Sequence, residues 1–216
     1  MKEMIIRIAS VNDDVEVLYN NLITEEIIEK RISFQSFLTL ISKKVNNGKE
    51  KVSCKFIEDS VIGYGCNGER EVYVVNQPEH RRFITYSVGK DNQAYEINFP
   101  ASIYIIEVRN KSISDIEAFM YLEYKGKDTK LYKYAMANML DENRICIGFA
   151  KRGIDESIIK TLEGIIYAPY SHETLNNIKG FRSTKSYFEY LSKNHISSKY
   201  LYSCKDTLEN VMNKVG

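Results

Sequence analysis

Short apolar runs dominate the first two thirds of the chain and predict β-strands. Residues 4–8 (MIIRI) and 15–19 (VEVLY) are apolar and β-branched, and the polar residues 12–14 predict a turn between them. The same pattern predicts further strands at 52–57, 71–76, 82–87, 102–109 and about 115–124. Because the run at 102–109 (SIYIIEVR) is apolar on both faces, we expect it at the centre of an antiparallel meander.

Helical spacing of apolar residues appears in four segments. Residues 33–46 form the first, and three more follow from about residue 155 to the end of the chain. The candidate capping residues are Ser33, Asp155, Ser183, and Asp206 with Glu209. Strands first and helices later predict an α+β fold, in which helices surround an antiparallel sheet.

Composition narrows the possible classes of protein. The chain has 216 residues, is 44% apolar and 27% charged, and carries a net charge of +1. This length and balance predict a folded chain with a sizeable core, and they disfavour bulk nucleic-acid binding. No apolar run approaches the roughly 18–20 residues of a membrane span, and the N-terminus is unlike a signal peptide. We therefore expect a cytoplasmic protein without a membrane partner.

The segment Gly63-Tyr64-Gly65-Cys66-Asn67-Gly68 fits the GxGxxG pattern of dinucleotide-binding proteins. In those proteins the glycines precede a helix, whose N-terminus binds the pyrophosphate. Here the alternating sequence EREVYVV follows, which is typical of a strand. We interpret the motif as a glycine-rich hairpin.

Four cysteines offer the main candidate chemistry: Cys54, Cys66, Cys146 and Cys204. Without a secretory signal, free thiols are expected. No CxxC occurs, and no histidine has zinc-finger spacing to a cysteine, so we expect no structural metal.

Cys146 follows a polar turn (LDEN) and precedes Gly148, which favours an accessible thiol. Arg144, Lys151 and Arg152 are close in sequence, and positive charge near a thiol favours the nucleophilic thiolate. The alternative is a buried, unreactive cysteine, because free cysteine is among the most buried residue types.

The stretch around Cys146 resembles the active site of ubiquitin-conjugating enzymes, in which an HPN tripeptide precedes the catalytic cysteine. Asn138 lies eight positions before Cys146, as the asparagine of that motif does, while Met136 and Ala137 replace its histidine and proline. Four stretches are similar to the prokaryotic ubiquitin-conjugating-like family of type D, that of the PRTRC system protein B. They are SVIGYG with EVYVVNQPEHRRFITYS, FPASIYIIEVRNKSISDIEAFMYLEY, LYKYAMANMLDENRICIG and IIYAPYSHET.

This resemblance implies a ubiquitin-conjugating-like domain over residues 60–216, with an N-terminal extension over 1–59. It implies an aminoacyl transferase of a bacterial or plasmid-borne system. A ubiquitin-like modifier, activated as a thioester on an activating enzyme, would pass to Cys146 and then to an amine of a protein substrate. Asn138 would donate a hydrogen bond to the oxyanion, and the alternative is that its side chain stabilises the loop as an Asx turn. No cofactor or metal is expected on this chain, since the activating enzyme would use the ATP.

His172, in the segment PYSHET, matches a loop position that follows the cysteine in the family. It would deprotonate the incoming amine or shape the loop over the thiol, and the alternative is a surface or capping histidine. A papain-like protease is disfavoured, because the CG-[SA]-CW context is absent and the spacing from cysteine to histidine is too short. A catalytically inactive binding or scaffold module on the same fold remains the main alternative.

Overall fold

The computed structural model describes residues 2–8, 14–21, 26–33, 35–37, 58–88, 91–141, 143–171 and 177–215. Two compact units make up the chain, residues 1–56 and residues 57–216. The protein is of the mixed α+β class, and its strands pair mostly in the antiparallel sense. This confirms the fold class at its coarsest level.

The first unit contains a three-stranded antiparallel sheet of β1 (Lys2–Ile8), β2 (Asp14–Asn21) and β3 (Glu26–Ser33) in chain order. The strands predicted at 4–8 and 15–19 are therefore confirmed. The third strand was not predicted, because the charged residues in its sequence EIIEKRIS interrupt the apolar alternation.

The helix predicted at 33–46 is described only at residues 35–37, which are helical. The Ser33 hydroxyl accepts a hydrogen bond from the Ser36 amide at 3.2 Å, as expected of a capping residue. The rest of this segment, the turn residues 12 and 13 and the strand predicted at 52–57 lie outside the described residues.

In the second unit the described part of the chain forms ten strands and three helices. The strands are β4 (Val61–Asn67), β5 (Arg70–Gln77), β6 (His80–Val88), β7 (Asp91–Phe99), β8 (Ser102–Arg109), β9 (Ser112–Met120), β10 (Lys130–Lys133), β11 (Met139–Asp141), β12 (Arg144–Ile145) and β13 (Ser203–Thr207). The helices are α1 (Ile158–Ile166), α2 (Thr184–Leu191) and α3 (Leu208–Val215).

The main sheet has the order β11-β12-β9-β8-β5-β4, with β10 joining β9 to β13. β4 and β5 form a hairpin that turns at Gly68, whose φ of 61° suits glycine, so the GxGxxG segment is a hairpin as predicted. The predicted meander is wrong in one respect, because the strand predicted at 82–87 is not part of the main sheet. This strand, β6, pairs with β7 in a separate two-stranded hairpin, and β5 pairs directly with β8.

The central strand β8 is buried on both faces, as its sequence predicts. Tyr104, Ile106 and Val108 face a large core that includes apolar residues of α1, α2 and the β6–β7 hairpin. Ile103 and Ile105 face a second core against Leu208 and Val211 of α3 and against the β9–β10 segment. The main sheet therefore lies between two apolar layers.

The helix caps differ in part from the predicted ones. Ser183 caps α2, because its hydroxyl accepts from the Ser186 amide, and this prediction is confirmed. Ser157 rather than Asp155 caps α1, since Asp155 pairs with Lys151.

At α3 the predicted Asp206 capping box is wrong. The Asp206 carboxylate accepts from Lys214 at 2.8 Å, while the Thr207 hydroxyl accepts from the Asn210 amide. The strand β13 runs up to Thr207, so the helix begins one residue later than a cap at Asp206 would place it.

Replacing Ser157 by alanine is expected to lower the free energy of unfolding by about 1 kcal/mol. The Ser157 hydroxyl accepts from the Lys160 amide at 3.0 Å and donates to the Glu58 carboxylate at 2.7 Å. Chemical denaturation measures the change. The control Asp155→Ala is expected to change stability by less than about 0.5 kcal/mol, because Asp155 is exposed. Equal losses in the two variants would contradict the assignment of the cap.

Candidate active site

The segment before Asn138 is fixed by burial. After β10 the chain passes through Tyr134, Ala135, Met136 and Ala137, all of which lie in the core. Met136 and Ala137 occupy the positions at which the ubiquitin-conjugating motif has histidine and proline. Apolar packing therefore defines the approach to Asn138.

Asn138 and Cys146 are joined through the backbone. The Cys146 amide donates to the Asn138 carbonyl at 2.8 Å, and between them β11 and β12 pair as a short hairpin. Asn138 has a φ of 61°, a left-handed conformation that asparagine tolerates better than most residues. Cys146 is partly exposed and follows directly after the buried Ile145. The eight-residue separation of Asn138 and Cys146 is therefore that of two residues paired at the open end of a short hairpin.

The Asn138 side chain holds a third segment beside this hairpin. Its amide nitrogen donates to the Pro169 carbonyl, and its amide oxygen accepts from the Ser171 backbone, both at 3.2 Å. Between these two residues, Tyr170 pairs in parallel with β6, exchanging backbone hydrogen bonds of 2.8 Å with Thr85 and Ser87. Residues 169–171 are therefore held on one side by Asn138 and on the other by the β6–β7 hairpin.

A tight turn follows the thiol. The Ala150 amide donates to the Ile147 carbonyl at 3.1 Å, and Gly148 has a φ of 55°. Arg152 donates to the Gly148 carbonyl at 3.3 Å. This turn leaves the Phe149 side chain fully exposed, and Leu140 in β11 is exposed as well. Cys146 therefore lies between two exposed apolar side chains in the sequence.

The basic residues near Cys146 in sequence have partners of their own. Arg144 forms an ion pair with Asp115 at 3.2 Å, Lys151 pairs with Asp155, and Arg152 binds the Gly148 carbonyl. The hydrogen bond and charge of Asp155 raise the pKa of Lys151, which keeps this ammonium group charged. Their observed interactions therefore support the loop rather than a contact with the thiol.

The structure brings together two of the three predicted site residues, Asn138 and Cys146. His172 lies outside the described residues, as does Cys54, although Ser171 is the neighbour of His172 in the chain. Cys66 is exposed in β4 and Cys204 is partly buried in β13, and the cysteines that the structure describes are free thiols. The contribution of Pro169 and Ser171 was not predicted. It comes from backbone atoms, which leave no signal in the residue types.

Comparisons with known proteins give no match: no protein-family model, no curated protein and no solved structure is similar to the chain. None of the helices in the described ranges is long and apolar enough to cross a membrane. Among the same residues, histidine, cysteine, aspartate and glutamate form no group of three or more suited to a metal ion. The arrangement defines an α+β protein with a partly exposed thiol beside an asparagine-stabilised loop.

Replacing Asn138 by glycine or alanine separates its two structural roles. Both variants lose the acceptor of the Ser171 amide, so hydrogen exchange at Ser171 is expected to become faster in both. Alanine is expected to cost about 1 kcal/mol more stability than glycine, because only glycine adopts the left-handed conformation without strain. Exchange measured by NMR, together with chemical denaturation, tests both expectations.

The matched control is Asn194→Ala, which removes an exposed amide that bonds the Tyr190 carbonyl. It is expected to leave exchange at Ser171 unchanged. Full protection of Ser171 in Asn138→Gly would show that Asn138 does not hold this segment.

Proposed function

We propose that the protein is a conjugating enzyme for a ubiquitin-like modifier, with a ubiquitin-conjugating-like fold in its second unit and the first unit as an extension. The Cys146 thiolate attacks the thioester carbonyl of an activated modifier, and the thiolate of the activating enzyme leaves. An amine of a protein substrate then attacks the new thioester. A carbon–nitrogen bond forms, the amine loses a proton, and Cys146 leaves as a thiolate.

The observation that supports this proposal best is the double use of Asn138. Its carbonyl holds the backbone of Cys146, and its side chain holds residues 169–171, which lead directly into His172. The sequence points to three segments, around Asn138, Cys146 and His172. Asn138 contacts the backbone of the second segment and of the residues that precede the third. Such an arrangement keeps a thiol and an adjoining loop in a fixed relation, which acyl transfer requires.

In this proposal Asn138 first positions the loop and then contributes to the oxyanion site. In the structure, the Asn138 amide nitrogen is directed to the Pro169 carbonyl. As negative charge develops on the thioester oxygen, the Asn138 amide donates to it, and His172 accepts the proton of the amine.

The proposal also implies a reducing compartment, the cytoplasm, because an oxidised Cys146 cannot accept an acyl group. The partners are the modifier, its activating enzyme and an acceptor protein of a bacterial or plasmid-borne system. ATP is consumed by the activating enzyme, and the present chain supplies only the thiol and the groups around it.

Acylation of Cys146 by a peptide thioester, used in place of the activated modifier, tests the nucleophile. We expect a covalent adduct that a thiol reductant removes, and we expect Cys146→Ser to give either no adduct or one that resists the reductant. Intact mass spectrometry and peptide mapping identify the acylated residue.

The matched controls are Cys66→Ser and Cys204→Ser, which remove the other described thiols and are expected to leave the adduct at Cys146. Acylation of Cys146 that is no faster than that of Cys66 would contradict the proposal, because Cys66 is the more exposed of the two.

Discharge of the Cys146 adduct to a free amine tests Asn138. We expect Asn138→Ala to slow discharge by about 100-fold, the typical effect of removing one oxyanion donor. The adduct still forms, because attack on the incoming thioester depends on Cys146 itself. Discharge is followed by the loss of adduct mass with time. Asn138→Gly removes the amide donor without the backbone strain that alanine introduces. A normal discharge rate in that variant would therefore contradict the oxyanion role.

A catalytically inactive binding module is the second candidate, and the exposed Phe149 and Leu140 favour it. Both side chains are large, apolar and exposed, and exposed apolar surface is typical of partner sites. This candidate predicts that Cys146→Ala retains partner binding and that a validated set of activating enzyme, modifier and ATP gives no adduct on the native chain.

A further inference from the structure

A row of polar side chains crosses the second unit from its surface to its core. His80 Nε2 lies 3.0 Å from the Tyr167 hydroxyl, and the Gln77 amide nitrogen lies 2.7 Å from the same hydroxyl. The Tyr104 hydroxyl is 3.1 Å from the Gln77 amide oxygen and 3.2 Å from the Tyr134 hydroxyl. Tyr104 and Tyr134 are fully buried.

The direction of the hydrogen bonds at His80 follows from its second ring nitrogen. His80 Nδ1 lies 3.0 Å from the Pro78 carbonyl, which only accepts, so Nδ1 carries a hydrogen. In the neutral ring Nε2 is then an acceptor, and the Tyr167 hydroxyl donates to it. Because Tyr167 has a single hydrogen, it accepts from Gln77.

The remaining directions follow in turn. Tyr104 donates its only hydroxyl hydrogen to the Gln77 amide oxygen, so the Tyr134 hydroxyl donates to Tyr104. Every hydrogen bond therefore points the same way, from Tyr134 in the core to the Pro78 carbonyl at the surface. Within the described residues each hydroxyl and amide of the row finds an acceptor in this arrangement.

A proton added to His80 changes the direction of the whole row. It binds Nε2 from solvent, which reaches the residues through a cleft of about 400 Å³ lined by Gln77, His80 and Tyr167. Nε2 now donates to Tyr167, whose hydrogen turns to Gln77. The Gln77 amide rotates so that its oxygen accepts from Tyr167 and its nitrogen donates to Tyr104. Tyr104 then donates to Tyr134, and the Tyr134 hydroxyl loses its acceptor.

We propose that His80, Gln77, Tyr167, Tyr104 and Tyr134 form a two-state hydrogen-bond switch, in which a proton on His80 reverses the row and displaces the Tyr134 side chain. No bond to a heavy atom forms or breaks, and one proton enters from solvent. The phenols rotate and do not ionise, because burial raises the pKa of Tyr167 to about 12 and those of Tyr104 and Tyr134 as well.

The charged groups around His80 are of both signs. The Arg82 guanidinium lies over the Tyr167 ring at 3.1 Å from its centroid and approaches the Glu163 carboxylate to 3.9 Å. Glu79 adjoins His80 in the chain and contacts His195. The His80 ring also contacts a neutral group, the ring of Phe99, with 5.5 Å between the two centroids.

The far end of the row adjoins the candidate active site. Tyr134 begins the buried segment that leads to Asn138, and its carbonyl accepts from the Asn177 amide at 3.1 Å. Displacement of the Tyr134 side chain therefore acts on the segment that positions Asn138 and, through it, the Cys146 backbone. The switch does not depend on Cys146 being a nucleophile.

NMR titration of the ¹⁵N-labelled full chain between about pH 5 and 8, the range in which histidine changes charge, tests the proposal. At the upper end we expect the His80 ring to carry its hydrogen on Nδ1. As the pH falls, the Gln77 side-chain amide and the ring signals of Tyr134 are expected to shift with the same midpoint as His80. An Nε2–H ring at high pH, or a Gln77 amide that does not respond, would overturn the switch.

Two variants interrupt the row at different points. In Gln77→Met no relay remains, so the Tyr134 response to pH is expected to vanish. In Tyr104→Phe the Gln77 amide is expected to respond and Tyr134 is not. The control His195→Gln removes the other described histidine near Glu79 and is expected to leave all responses in place. A Tyr134 response that persists in Tyr104→Phe would mean that the signal does not travel along the row, which contradicts the proposal.

Discussion

The burial of β8 on both faces is the constraint on which the second unit depends. Its side chains alternate between two cores, so α1, α2 and the β6–β7 hairpin lie on one side and α3 on the other. Both neighbours of β8 must then be strands, because a strand buried on both faces can satisfy its backbone groups only through pairing. β5 and β9 meet this requirement over the full length of β8.

The candidate active site follows from the way in which the edge of β9 is covered. Its last residues pair with β10, and Glu117 nearer its middle pairs with Arg144 of β12. The chain between these two short strands crosses the core as four buried residues and emerges at Asn138. Cys146 follows β12 directly, and the hydrogen bond from its amide to the Asn138 carbonyl fixes the distance between the two backbones. The left-handed conformation of Asn138 lies at the point where the chain leaves the core.

Sequence patterns predicted what depends on side-chain periodicity, and they missed what depends on backbone pairing. The central position of β8, the cap at Ser183 and the hairpin at Gly68 each follow from residue types over a few positions. β7 was missed because Asp91 and Asn92 have turn propensity, although they begin a strand whose alternation starts only at Tyr95. Similarly, Asn138 was expected either to donate to the oxyanion or to stabilise its own loop as an Asx turn, whereas its bonds to residues 169–171 connect positions more than 30 residues apart. No local pattern encodes such a contact.

The large core also contains polar side chains, which need hydrogen-bond partners in addition to apolar packing. A buried hydroxyl without a partner is costly, so Tyr104 and Tyr134 fix each other and Gln77 in one arrangement. The same buried segment that holds Tyr134 also delivers Asn138 to the surface. Packing of the core and placement of the thiol are therefore properties of one stretch of five residues. A change in the hydrogen bonds of Tyr134 therefore affects the segment that leads to the candidate active site, even though Tyr134 itself is buried.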